Sequence, residues 1–176
     1  VTVFPIIFAV SFSHMLNDIM QSMIAAIYPM LKTDYQLDFW QIGILTLAFQ
    51  CTASLLQPVV GIVTDKKPYP YSLPVGMAST LLGLVLLATA HDYNMLVLAA
   101  SLVGIGSAIF HPESSRVARL ASGGRYGFAQ SVFQVGGNLG TAIGPVLAAF
   151  LIVPRGQGSV AWFCIAATIG IIVLAR

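Results

Sequence analysis

Ser11, His14, Asn17, Asp18 and Gln21 follow one another at spacings of three, three, one and three, which places all five along one face of a helix. Asp18 is the only Asp, Glu, Lys or Arg between Val3 and Leu31. A carboxylate near the middle of a bilayer costs several kcal/mol unless it is hydrated, paired or protonated. Asp18 is therefore expected to face a polar cavity, where a carboxylate that exchanges a proton becomes a proton carrier. His14, one turn earlier, can share that proton or touch a substrate. Asn17 and Gln21 on the same face are candidate substrate contacts. The structural alternative is a carboxylate held by Asn17 or by a neighbouring helix as interhelical glue.

A second cluster reads His111-Pro112-Glu113-Ser114-Ser115-Arg116. Pro112 removes one backbone hydrogen bond and is expected to kink its helix. Glu113 and Arg116 stand three apart, the spacing of an intrahelical ion pair. In a narrow aqueous mouth such a pair can be opened by a proton or a substrate, with Glu113 on the proton side and His111 and Arg116 on the substrate side. The plain alternative is an interfacial salt bridge that adds little. A third set, Gln130, Gln134 and Asn138, recurs every four residues as an amide stripe able to bind a ligand or a neighbouring helix without charge. Gln134 and Asn138 join the substrate candidates. Gly136, Gly137, Gly140 and Gly144 on the same helix permit close approach of another helix, and Gly144-Pro145 adds a local kink, so Gly140, Gly144 and Pro145 suit a moving part. Gln50 and Gln57, seven apart, read as glue between helices.

The elements that must position these groups follow from composition. Of 176 residues, 57% are hydrophobic and 8% charged, with a mean hydropathy of +0.88, against roughly 25% charged residues in a soluble domain. A net charge of +2, scattered along the chain, makes no basic stripe and excludes nucleic acid as a partner. Stretches poor in charge predict six membrane-spanning helices at about 3–31, 39–64, 71–90, 95–115, 126–153 and 157–175, joined by short loops. With the N-terminus in the cytoplasm, Lys66, Lys67, Arg116, Arg119, Arg125 and Arg176 fall inside and only Lys32 and Arg155 outside, as the positive-inside rule requires. The first helix is too long and too polar for a signal-peptide core and is read as a retained span. Cys51 and Cys164 lie within predicted helices, where a disulfide is not expected.

Pro58 in the second predicted helix and Pro145 in the fifth lie at matching depths, and the first and fourth helices concentrate the ionisable residues. This points to an all-α membrane protein built as two three-helix repeats. Because three is odd, the repeats have inverted orientation, as in many secondary transporters.

The loop Gly61-Ile62-Val63-Thr64-Asp65-Lys66 resembles the Gly-x-x-x-Asp-Arg/Lys signature that major facilitator superfamily transporters carry between helices two and three. The resemblance implies a gating role for Asp65 and Lys66; beyond them Pro68, Tyr69 and Pro70 depart from the family pattern. Gly140 through Gly144-Pro145 to Ala148-Ala149 resembles the glycine and proline pattern of the superfamily's proton antiporters, with Ala in place of the final glycines, which favours export. Ala100 stands where many of these antiporters carry an arginine. The stretches His14 to Asp18, His111 to Arg116 and Gly136 to Gly140 are similar to the superfamily's fosmidomycin resistance branch, and the likeness runs along the whole chain. It implies a proton-coupled antiporter of the bacterial inner membrane that exports fosmidomycin or related small anionic drugs. Full-length members have twelve helices, so residues 1–176 correspond to an N-terminal six-helix half whose C-terminal half is missing and which is not expected to transport alone. A chain that starts at Val1 and stops at Arg176, just past a helix, is expected to be part of a longer one.

The expected partners are the bilayer, protons, a small-molecule substrate and the missing half; no cofactor and no metal site is expected. The alternative within the superfamily is a proton symporter importing a small organic anion. A rhomboid-type intramembrane serine protease needs a Gly-x-Ser-Gly nucleophile and a histidine on a later helix. Ser107 is followed by Ala108 and has Ile105 two residues before it, and no histidine follows His111, so no enzyme is expected.

Overall fold

The computed structural model describes residues 1–67 and 69–175; Pro68, where the family pattern breaks, and Arg176, counted among the inward charges, lie outside the described residues. The chain opens with α1 (Phe4–Ala26), started by Pro5 in its first turn, and continues through a break at Ile27 into the short α2 (Tyr28–Asp34), where Pro29 again sits at the start. Asp38 begins the next helix with a capping box. Its carboxylate accepts the Gln41 backbone N–H at 2.7 Å while the Gln41 side chain accepts the Asp38 N–H at 2.9 Å.

α3 (Phe39–Gln50) passes through a π turn at Cys51–Leu55 into α4 (Leu56–Lys66) as one rod of 28 residues. α5 (Ser72–Thr89) and α6 (Tyr93–Leu120) follow, with the Asp92 carboxylate capping α6 by accepting the Met95 N–H at 2.9 Å. α7 (Tyr126–Leu147) ends in a second π turn, Ala148–Ile152, and a 3-10 turn, Gln157–Trp162, leads into α8 (Phe163–Leu174). Among the described residues there is no strand.

α6 runs to Leu120, beyond the Ser115 end read from charge, because the added turn buries Ala118 completely and turns Arg119 outward. Pro112 sits inside this helix without ending it. Ser114 Oγ donates to the Phe110 carbonyl at 2.6 Å, adding a side-chain bond across the turn that holds the proline.

Among the described residues, five stretches are long and apolar enough to cross a membrane: Phe39–Lys66, Ser72–Thr89, Tyr93–Leu120, Tyr126–Ile152 and Gln157–Leu174. α1 has the length, 23 residues at roughly 1.5 Å each, but carries too many polar side chains to stand against lipid on every side. It shelters its polar stretch instead: Ser11, Ser13, His14 and Asn17 are buried.

α1 packs lengthwise on α7, and the α7 glycines set the distance. A Cβ at Gly136 would overlap the Ser11 carbonyl, at Gly137 the His14 ring, at Gly140 the Met15 carbonyl and at Gly144 the Ser22 hydroxyl. With no hydrophobic force between helices in lipid, such backbone contact and its dispersion energy supply much of the association. The counterpart pairing sets α6 against α3 and α4, with Gly104 lying on the Phe49 carbonyl, while α5 packs on α6 and on α8. These pairings follow a three-plus-three scheme, and Pro58 and Pro145 stand equally far from Phe39 and Tyr126, the first residues of their helices.

The N-terminus joins the α6–α7 loop, with the Val3 N–H donating to the Ala121 carbonyl at 2.8 Å. At the opposite end Tyr35 Oη donates to the Ala90 carbonyl at 2.7 Å. The apolar core, with Ile27, Leu31, Leu84, Leu96 and Ile152 fully or almost fully buried, gathers toward that opposite end. Phe39, Trp40, Leu47, Val59, Leu82, Phe150 and Ile172 face outward, an apolar surface suited to lipid or another helix and not to water.

Candidate functional site

The polar face of α1 meets α6 where His14, Asp18 and His111 converge. His14 Nε2 lies 3.4 Å from one Asp18 carboxylate oxygen, and His111 Nε2 lies 3.3 Å from the other. The two rings stand edge to face with centroids 5.1 Å apart. One residue comes from each of two successive turns of α1 and one from the turn of α6 that holds Pro112, so two helices must pack correctly to assemble the group.

Each imidazole is oriented from behind. His14 Nδ1–H donates to the Phe133 carbonyl of α7 at 2.9 Å, and the ring stacks on the Phe133 ring with centroids 4.0 Å apart. His111 Nδ1–H donates to the Ser107 carbonyl at 3.0 Å. A carbonyl only accepts, so a hydrogen bond to it places hydrogen on Nδ1 of each ring, although His111 Nδ1 also lies 3.1 Å from the Ser107 hydroxyl; both Nε2 atoms are aimed at the carboxylate. A neutral Nε2 facing an ionised carboxylate is two acceptors in contact; a proton placed between them turns each contact into a hydrogen bond. The geometry thus offers two proton positions on one carboxylate.

Asp18 is further touched by Asn17 Nδ2, which donates at 3.2 Å, and by Thr141 Oγ1 from α7 at 3.5 Å. Ser107 Oγ donates to Gln21 Oε1 at 3.0 Å, which links Gln21 to the same turn of α6. Among the described residues the buried Asn17 Oδ1, Ser13 Oγ and Gln21 Nε2 have no hydrogen-bond partner. Such groups hold capacity for a bound molecule or water.

The triad borders a cavity of about 360 Å³ lined by His14, Asp18, Gln57, His111, Pro112, Ser115, Gln130, Phe133 and Gln134. Of the substrate candidates, His111 and Gln134 line it; Asn17 and Gln21 do not line it and touch Asp18 and Ser107 instead; Asn138 is exposed one turn beyond Gln134, whose Nε2 lies 3.5 Å from its Oδ1. Gln57, read from sequence as interhelical glue, instead lies in this wall and anchors its amide on the Ala53 carbonyl at 2.8 Å. Its heptad spacing from Gln50 shows a shared face and carries no sign of which side that face meets. Ser115 and Gln130 join across α6 and α7, the Gln130 amide donating to the Ser115 carbonyl at 3.0 Å.

Glu113 stands apart from this cavity. It is 1% exposed, and Arg116 grips it through two nitrogens at 3.0 and 2.9 Å while Ser72 Oγ of α5 donates to it at 2.8 Å. Arg116 in turn reaches a second cavity, of about 560 Å³, bordered by Asp65, Arg119, Ser122, Gly123, Gly124 and Tyr126. Asp65 and Lys66 are both exposed, at the end of the bundle that holds the N-terminus. Gly140 and Gly144 lie in the α1–α7 contact, and Pro145 sits within α7 just before its π turn.

Comparison with known proteins matches the family model described as Major Facilitator Superfamily over residues 10–176. The fosmidomycin resistance protein of Escherichia coli (strain K12) is 61% identical over 175 residues, which is 99% of this chain and 43% of that protein. The uncharacterized MFS-type transporter YfnC of Bacillus subtilis (strain 168) is 44% identical over 98% of this chain and 42% of its own length. The chain thus spans less than half the length of these relatives. Among solved structures, a bacterial homolog of the human lysosomal transporter Spinster, inward-facing and occupied, superposes with a TM-score of 0.83 at 17% identity, covering 96% of this chain and 42% of that one. The peptide transporter POT in complex with sulfate gives 0.81 at 16% identity, over 97% of this chain and 37% of that one. With the family model matching nearly the whole chain and the fold shared with these transporters, the chain belongs to the major facilitator superfamily.

Proposed function

We propose that residues 1–176 form the N-terminal half of a proton-driven exporter that moves fosmidomycin or related small anionic drugs out across the bacterial inner membrane. The observation that carries this reading is Asp18, pinched between the Nε2 atoms of His14 and His111 at the wall of a polar cavity. Protons entering from outside occupy the two positions on the carboxylate, and an anionic drug entering from the cytoplasm is met by the same imidazoles and by the amides of Gln57, Gln130 and Gln134. Occupancy by one or the other biases rocking of this half against its partner half, because each ligand shifts the equilibrium only by its differential affinity for the two states. The work is transport and needs no bond-making residue.

Asp18 is the proton-exchanging acid in this reading, with His14 and His111 as its partners. Glu113 and Arg116 form a fixed pair that ties α6 to α5. Asp65 and Lys66, at the N-terminal and hence cytoplasmic end, serve the gate, and the α7 glycines form the surface on which α1 shifts.

The test is the full-length transporter in vesicles with a pH-sensitive dye inside. Under an inward proton gradient, fosmidomycin supplied on the cytoplasmic face of the protein collapses the gradient if exchange is the mechanism; Asp18→Asn abolishes the response. A substrate-driven proton movement in the same direction as the drug identifies a symporter and refutes export by exchange.

A further inference from the structure

We propose that His14, Asp18 and His111 also form a binding site for one divalent transition-metal ion of the Zn2+ class. The three residues each present a ligand atom, and these atoms lie within 4.8 Å of one another. His14 Nε2 lies 3.4 Å from one Asp18 oxygen and His111 Nε2 lies 3.3 Å from the other. A tetrahedral zinc site with bonds of about 2.0–2.1 Å places its ligand atoms about 3.3 Å apart. Each imidazole therefore already stands at that edge length from its own carboxylate oxygen, and loading the site draws three ligand atoms together from separations of up to 4.8 Å.

Three features separate this cluster from a chance meeting of polar groups. Both histidines donate Nδ1–H to a backbone carbonyl, Phe133 for one and Ser107 for the other, which fixes the tautomer and aims the Nε2 lone pair inward. That backing is the usual outer shell of a metal-bound imidazole. Asn17 Nδ2 holds one carboxylate oxygen at 3.2 Å, so all three ligands are oriented without an ion. The fourth position opens on the 360 Å³ cavity, where water or an anionic oxygen can complete the coordination sphere. Two imidazoles beside a single carboxylate suit Zn2+, Co2+ or Ni2+ over Mg2+ or Ca2+, because the nitrogen donors set the preference. No spacing in the sequence announces the site, since His111 comes from a helix more than ninety residues away.

A bound ion takes the same lone pairs that protons use, so zinc arrests proton-driven transport. The decisive experiment uses the full-length transporter, purified with its affinity tag removed, titrated calorimetrically with Zn2+ and separately with Co2+, whose visible absorption reports four-coordination. The expected result is saturable binding that His14→Gln, His111→Gln and Asp18→Asn each weaken at least about tenfold, with His91→Gln unchanged and Mg2+ failing to compete. Binding that none of the three substitutions weakens overturns the proposal, as does the absence of binding to the unaltered protein. If a triad variant fails to fold, zinc X-ray absorption of the unaltered transporter decides: two imidazole ligands support the site, and none or one refutes it.

Discussion

Gly137→Ala tests whether the orientation of His14 governs the site. A Cβ built there meets the His14 ring first: its Cε1, Nε2 and Nδ1 are the three nearest atoms. The ring is held where it is: it is 2% exposed, stacked 4.0 Å from Phe133 and bonded through Nδ1 to the Phe133 carbonyl, so yielding to the methyl breaks these contacts. Forcing a methyl into a filled contact costs about 1–3 kcal/mol, and stranding a buried donor costs about 1–3 kcal/mol more. The better helix propensity of Ala returns about 1 kcal/mol. The balance is a destabilisation of about 1–5 kcal/mol. Displacing the imidazole also takes Nε2 out of reach of Asp18, so transport falls even in molecules that remain folded. Gly127→Ala, on the same helix with open space around its Cβ, is the control and leaves both properties intact. The assay pairs thermal unfolding of the full-length transporter with the drug susceptibility of cells expressing it. Wild-type melting and wild-type resistance in Gly137→Ala refute the reasoning.

The Glu113–Arg116 pair should respond unequally to its two deletions: Arg116→Met leaves a 1%-exposed carboxylate without its cation and costs about 3–5 kcal/mol, whereas Glu113→Gln frees an arginine that is 27% exposed and can turn to water; thermal unfolding of the two variants ranks them. Gln57→Leu keeps the volume of the cavity wall but removes its amide, so drug resistance drops with unchanged melting, and a variant as resistant as wild type removes Gln57 from the substrate path. The 176-residue chain alone, reconstituted and checked for helicity, should show no pH-driven drug uptake, because the proposed cavity has only one wall.

Much of the fold is written locally. Charge-free stretches mark the helices because a bilayer excludes charge, and Asp38, Asp92, Pro5 and Pro29 mark starts by capping or by tolerating a missing N–H. Pairing of helices is legible only in part: the glycines of α7 announce a close neighbour without naming α1. The site is legible to the same degree. The polar face of α1 is visible as a helical periodicity, and the polar run His111 to Arg116 of α6 as a cluster, but their union at Asp18 depends on how two distant helices cross. Gln57 shows the limit plainly, since an amide on a membrane helix reads the same whether it bridges helices or lines a cavity. Which way it faces is decided by the packing of α4 against α6, a tertiary fact.

The two acids within the helices, Asp18 and Glu113, differ in how tightly they are held, and that difference assigns their proposed roles. Glu113 takes contacts of 2.8–3.0 Å from Ser72 and from both arms of Arg116, the lengths of well-formed charge-assisted bonds. Asp18 takes contacts of 3.2–3.5 Å from Asn17, Thr141, His14 and His111, none of them a fixed cation. A carrier has to release what it binds, so strong permanent partners work against the task while several weak, exchangeable ones serve it. The same argument explains why histidines surround Asp18. An arginine would hold the carboxylate charged at every pH, whereas an imidazole gains and loses its proton near neutrality and so lets the carboxylate change state with it. Replacing His111 with Arg therefore separates binding from coupling: the variant should retain drug binding at the cavity, with Asp18 permanently paired, and lose pH-driven exchange. Full exchange in that variant means that Asp18 does not carry the proton.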